Sequence, residues 1–263
     1  MAQLRPLCGA LRFEFLMQVR RPALWIGTLL LSLFLFKSFS DFYLTARYPT
    51  VYQSLGSWAG FVARFFPIAA GLLLADRYAR DGKTRVDALL VTSPTSTGAR
   101  LFGKYIGSSL ATVVPVLVIY LVGITLILAY WRDAAALPEA LGIFIAVNVT
   151  GILFVGAFSI ACTTVLWPVL YQFLFIGYWF WANFLNPHLG IPTLDGTLLT
   201  PSGDFILAGL FPDTVLNIGA YHGPHIPVAQ GVESLALLLG CALAVQGAAW
   251  GWLAWRQNQQ NHQ

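Results

Sequence analysis

The sequence predicts an all-α integral membrane protein with six transmembrane helices. Three observations lead there. The 263 residues are 57% hydrophobic and only 10% charged, against roughly 45–50% and 25% in soluble domains. The apolar residues gather into runs near the roughly 20 residues that a helix needs to cross about 30 Å of hydrocarbon. Mean hydropathy is correspondingly high, at +0.70.

In chain order the runs lie near Pro22–Phe39, Leu55–Ala75, Tyr105–Tyr130, Pro138–Ala161, Val165–Phe184 and Glu233–Trp255. Arg20 and Arg21 precede the first run as in a signal peptide. No small-residue cleavage site follows Lys37-Ser38-Phe39, so the run reads as a retained anchor. Ahead of it, Leu4, Leu7, Leu11, Phe15 and Val19 recur at spacings of three and four, while Arg5, Arg12 and Gln18 fall elsewhere. This pattern predicts an amphipathic helix within residues 1–21, lying in the cytoplasmic interface.

Orientation follows from the basic residues in short flanks. Arg5, Arg12, Arg20 and Arg21 precede the first span, and Arg77, Arg80, Lys83, Arg85, Arg100 and Lys104 lie between the second and third. Arg47 and Arg132 are the few on the opposite side, and Arg256 follows the last span. Both termini are therefore expected in the cytoplasm. Trp25, Trp58, Trp131, Trp167, Trp250 and Trp255 lie mostly near span ends, as interfacial anchors do. The net charge of +4 is small, and most basic residues flank apolar runs, so a nucleic-acid partner is not expected. Cys8, Cys162 and Cys241 are far apart and form no disulfide framework.

The cytoplasmic loop 76–104 reads DRYARDGKTRVDALLVTSPTSTGARLFGK. It mixes both charge signs, offers Val86, Leu89 and Leu90 as an apolar face, breaks at Ser93-Pro94, and supplies hydroxyls at Thr95 to Thr97 to cap a helix starting near Gly98. A short helix of this kind suits docking of a soluble partner; a solvated connector is the plainer alternative. Within the loop, GARLFGKY nearly spells a phosphate-binding G-x-x-x-x-G-K-[ST] loop, with Gly98, Gly103 and Lys104 in place. Tyr105 stands where a small hydroxyl must reach the nucleotide's metal, and no buried strand precedes the run. Nucleotide binding by this chain is not expected on that chemistry.

Inside the second span stands Arg64, beside Phe65, where an arginine costs about 2.5–3.5 kcal/mol to insert. It should face the bundle interior or a water-filled cavity, either contacting substrate or pairing with a carbonyl or with Glu233 or Asp41. Lys37, nearer a span end, should snorkel. The fifth run carries Pro168, Tyr171, Gln172, Tyr178, Trp179, Trp181 and Asn183. That face could line a pathway for an amphiphilic molecule or serve as lipid girdle and packing.

The outer stretch 185–232 contains FILAGLF and TVLNIGA, too short to cross and expected as re-entrant or interfacial helices. His188, Asp195, His222 and His225 lie there; a bare H-x-x-H is a weak metal signal, and no metal is expected. The glycosylation triplet Asn148-Val149-Thr150 is inside a span. No nucleophile elbow, H-E-x-x-H or internal repeat is present.

The run LLVTSPTSTGARLFGKYIG, residues 89–107, resembles the stretch joining the second and third spans of ABC-2 type transporter permeases. RFEFLMQVRRPALWIG, residues 12–27, is similar to that family's opening, an acidic residue, then basic residues, then an apolar span. Six spans, cytoplasmic termini and a broken outer segment extend the resemblance over the whole chain, as one domain of residues 1–263.

The resemblance implies the permease subunit of an ATP-driven exporter in a bacterial plasma membrane, paired with a second permease copy. A separate ABC ATPase subunit would carry the ATP and Mg, with no cofactor in this chain. Residues 1–21 would be the connecting helix. Asp81, Arg85, Asp87, Leu89, Leu90 and Thr95 would belong to the ATPase-docking coupling helix, and residues 185–232 to the outer gate. Gly98–Tyr105 would then be the foot of the third span, with Gly103 and Gly107 allowing close packing and Lys104 snorkelling to the headgroups. Arg64, Phe65, Tyr171, Gln172, Tyr178 and Asn183 are the expected pathway residues, for a drug, peptide, lipid or glycan. The rival expectations are an ion-coupled secondary transporter and a membrane enzyme using His188, Asp195, His222 or His225.

Overall fold

The computed structural model describes residues 4–46, 48, 50–83, 96–185, 191–215, 217–218, 221–222 and 225–261. Helix α1 (Leu4–Val19) is followed by α2 (Pro22–Ala46) and α3 (Val51–Lys83). Helix α4 (Thr97–Trp131) comes next, then α5 (Leu137–Ile143), which continues through a π-helical turn (Phe144–Val149) into α6 (Thr150–Cys162). Helices α7 (Pro168–Asn183), α8 (Asp204–Leu210) and α9 (Val228–Asn261) complete the bundle.

The long helices outrun the apolar segments that predicted them. At 1.5 Å per residue, α3 with 33 residues, α4 with 35 and α9 with 34 each extend about 50 Å. Hydropathy detects the part that suits lipid, whereas backbone hydrogen bonding carries each helix on into polar flanks. Ser96 starts α4 by accepting a hydrogen bond from the amide of Ala99 at 3.3 Å, within the expected hydroxyl run.

Among the described residues, five helical stretches are long and apolar enough to cross a membrane: 22–41, 51–77, 97–131, 134–162 and 228–259. The predicted fifth run forms α7, whose 16 residues reach about 24 Å, short of the hydrocarbon thickness. In the outer stretch, FILAGLF lies within and around α8. TVLNIGA departs from its expected helix: Thr214 ends a 3₁₀ turn, and Asn217-Ile218 pairs antiparallel with Tyr221-His222. The amides there bond across a short ribbon, because glycine and proline punctuate the segment too closely for a helical turn to propagate.

The core is built around α3. Trp58 is fully buried, its indole lies across Gly123 of α4, and its Nε1 donates to the carbonyl of Tyr120 at 3.1 Å. Any side chain at Gly123 would meet that ring at 2.2 Å. On another side of α3, Phe175 of α7 fills the space over Gly71, and Gln172 Nε2 donates to the carbonyl of Leu72 at 3.0 Å.

The chain ends share one end of the bundle. Thr97 Oγ1 donates to Gln257 Oε1 at 2.8 Å, and Trp250 packs on Gly98, joining the last turns of α9 to the first of α4. Ala10 and Leu11 of α1 meet Gly103 of the same helix. The described residues between 191 and 226 build the opposite end, where Thr214 covers Gly56 near the start of α3.

Candidate functional site

At the end formed by residues 191–226, a cavity of about 620 Å³ opens between α3 and the outer stretch. Gly56, Ser57, Gly60, Phe61, Arg64 and Phe65 line it from α3, and Phe184 from the end of α7. Asp195 and Gly196, the first two turns' worth of α8 residues Asp204 to Ala208 in part, and Thr214, Val215 and Ile226 close the other side. Gly56 and Gly60 fall one turn apart on α3: Thr214 packs over Gly56, whereas Gly60 borders open space.

Arg64 Nη2 lies 3.3 Å from both carboxylate oxygens of Asp204, the first residue of α8. The two side chains are 43% and 30% exposed, so the pair faces the cavity. Of the acidic partners the sequence suggested, Asp41 pairs with Lys37 at 2.7 Å on an exposed helix face, and Glu233 is exposed on α9. Asp204 had no distinguishing mark in the sequence, since only folding of the outer stretch brings it to α3.

Several contacts hold that carboxylate. Ser202 Oγ donates to Asp204 Oδ2 at 2.6 Å, and the Ser202 amide donates to Asn183 Oδ1 at 3.1 Å. Gly203, between them, has φ of 75°, a left-handed turn that favours glycine, while Val147 packs 3.0 Å from where a Cβ would stand. Pro67 disturbs the hydrogen-bond ladder of α3, and Trp179 Nε1 donates to the nearby carbonyl of Arg64 at 2.8 Å. Asp195 is partly buried on the facing loop. Burial, then the Asp204 carboxylate, raise its pKa above the ordinary value, against Arg64 and the Gly196 amide, which lower it.

Of the expected pathway residues, Arg64 and Phe65 line this cavity. Tyr171 is buried and shares a 3.1 Å hydrogen bond with Ser159, Gln172 is bound to α3, and Tyr178 is half-buried. Asn183 is buried as the anchor of Ser202 and donates to the Trp179 carbonyl at 3.0 Å. These four tie α7 to its neighbours. His225 is exposed, and His188 lies outside the described residues.

A second polar centre lies at the other end. Glu14 of α1 receives Arg77 Nη2 of α3 on one oxygen and Lys104 Nζ of α4, at 2.9 Å, on the other. All three side chains are at most 10% exposed. Lys104 therefore turns inward to Glu14, where the sequence suggested snorkelling; a buried carboxylate next to the groove offers it a better partner than headgroups do. Gly103 and Gly107 do permit close packing: a Cβ at Gly103 would come within 2.8 Å of Ala10 Cβ, and one at Gly107 within 2.6 Å of the Leu11 carbonyl. Successive contacts run the same way along both helices, so α1 lies lengthwise on the start of α4. Glu14 and Gln18, 8% and 0% exposed, are its most buried residues, ahead of the leucine stripe. Glu14 sits three residues after Leu11 on that same stripe, a signal readable in the sequence.

The expected docking residues Arg85, Asp87, Leu89, Leu90 and Thr95 lie outside the described residues, and Asp81 is in the last turn of α3. No protein-family model matches the chain, and no curated protein matches it.

Proposed function

We propose that this chain is the membrane subunit of an ATP-driven exporter, working as a pair of permease copies with a separate nucleotide-binding subunit. The observation that carries the reading is the Arg77–Glu14–Lys104 cluster. One buried carboxylate fastens α1 to α3 and α4, the two helices that flank the 84–95 loop. A push on that loop from a docked ATPase would move these three helices as a unit, since breaking a buried pair leaves a charge uncompensated. Asp81 and the residues to Thr95 are the proposed docking segment.

Six crossings are part of this proposal. The two chain ends lie at the same end of the bundle, which supports an even number of crossings, and α7 would supply the sixth despite its length. Local thinning of the bilayer and the interfacial Trp167 accommodate a short helix. The end holding α1 carries Arg12, Arg20, Arg21, Arg77, Arg100, Lys104 and Arg256, which supports a cytoplasmic placement by the positive-inside rule. The cavity beside Arg64 would then face outward as part of the exit path.

Purification of the tagged chain in mild detergent from its host tests the reading. A nucleotide-binding subunit identified by mass spectrometry should co-elute, and replacing residues 81–97 by a flexible linker should abolish the co-elution. A chain that purifies alone and moves solute without ATP would overturn it. One observation favours that second reading: Asp195 and Asp204 both line the cavity beside Arg64, and an ion-coupled carrier could use two such carboxylates. Uptake driven by a proton gradient in ATP-free proteoliposomes would establish it.

A further inference from the structure

The cavity beside Arg64 has the size of a pocket for a drug-sized molecule, which is about 300–1,000 Å³. Its wall is mostly apolar: Phe61 and Phe65 stack in parallel on α3 with centroids 6.4 Å apart, and Phe184 meets Phe65 edge-on at 5.5 Å. Phe205 adds a fourth ring from α8. Its charge is uneven. Two carboxylates, Asp195 and Asp204, share the cavity with one guanidinium.

Asp204 meets Arg64 with both oxygens and also accepts from Ser202. Asp195 receives the amide of Gly196 and has no ion pair among the described residues. Among the described lining residues the cavity therefore carries one net negative charge, placed against aromatic rings in partly desolvated surroundings. An anion would have to displace Asp204 from Arg64 and then face Asp195. A cation with an apolar body would meet Asp195 directly and lay its rings or chains on the phenylalanines, whose faces attract positive charge.

We propose that this cavity binds an amphiphilic organic cation, with Asp195 as its counter-charge and Phe61, Phe65, Phe184 and Phe205 as its apolar wall. The proposal deepens the export reading and rests on it for treating the bound cation as cargo. Binding requires ionised Asp195. Burial and Asp204 raise that group's pKa, so binding weakens on acidification at a higher pH than for an ordinary aspartate. Among the described residues, the charged groups facing it are Arg64 from α3 and Asp204 at the start of α8. Asp213 and His225, next to the lining residues Thr214 and Ile226, are exposed.

Tetraphenylphosphonium and tetraphenylborate have nearly the same shape and opposite charge. Equilibrium dialysis of each against the purified full-length chain in detergent, corrected with protein-free micelles, reads the discrimination directly. Saturable binding of the cation at neutral pH is expected, at least about tenfold tighter than that of the anion, an ordinary effect for one unscreened charge contact. Asp195→Asn should weaken the cation about tenfold, narrow the gap between the ions and remove the pH dependence, while Asp195→Glu retains all three. Equal binding of both ions, binding of neither, or an Asp195→Asn chain as tight as the parent overturns the site. If the asparagine variant fails to fold, the discrimination by the unmodified chain decides. Cation binding lost with ATPase co-elution retained would sink this site alone; binding with no ATPase partner would leave the site standing and sink the export reading.

Discussion

Glu14 shows how much one residue can carry in this bundle. Its carboxylate takes one cation from α3 and another from α4 at less than 10% exposure of the whole residue. Replacing it by glutamine would break the buried ion pairs it makes with Arg77 and Lys104, a loss of about 3–5 kcal/mol. Thermal unfolding in detergent, followed by tryptophan fluorescence, should show a marked drop in midpoint for Glu14→Gln. Asp204→Asn breaks an ion pair of the same formal kind and should cost no more than about 1 kcal/mol, because both partners are open to the cavity and screened by water. The burial of Glu14 was legible from its place between Leu11 and Phe15. Its partners were not, since they lie 63 and 90 residues away and no local rule relates them.

Between elements, glycine decides how close helices come. Gly103 and Gly107 are one turn apart on α4 and open a groove along which α1 lies. Gly107→Leu should loosen α1, because a side chain there runs into the Leu11 backbone, and should lower the thermal unfolding midpoint in detergent. An unchanged midpoint would mean α1 is not held by this groove. The aromatic ladder of α7 makes a related point. Tyr171, Phe175 and Trp179 recur every four residues and turn inward, Tyr171 to Ser159 of α6 and the other two to α3, while Phe173, Leu174 and Phe180 face outward. Sequence composition marked the aromatic face but could not say which rings pack and which line a cavity.

At the scale of the molecule, the position of the chain ends is the sharpest expectation. Gln257 reaches Thr97, and α1 lies on the same stretch of α4, so reporters fused to the two termini should be found on one side of the membrane. Fusions reporting opposite sides would mean that α7 does not cross and that the bundle has five passes. Under the proposed orientation, which rests on the distribution of basic residues, that shared end would be cytoplasmic and the Arg64 cavity would lie at the far end.

The sequence by itself determined that the chain is a membrane-embedded helical bundle. Hydropathy and helical period are local, and each apolar run must satisfy its own backbone hydrogen bonds whatever its neighbours do. It also marked Arg64 as a residue needing an interior or watery environment, because the cost of an arginine in lipid does not depend on the fold. Only the tertiary structure decided that Asp204 meets Arg64, that Lys104 turns to Glu14, and that α7 is clamped to α3 through Gln172 and Trp179. Such pairings join residues far apart in the chain, and what selects them is close packing: which glycine leaves room, which carbonyl a proline loosens, and which buried charge has a partner within reach.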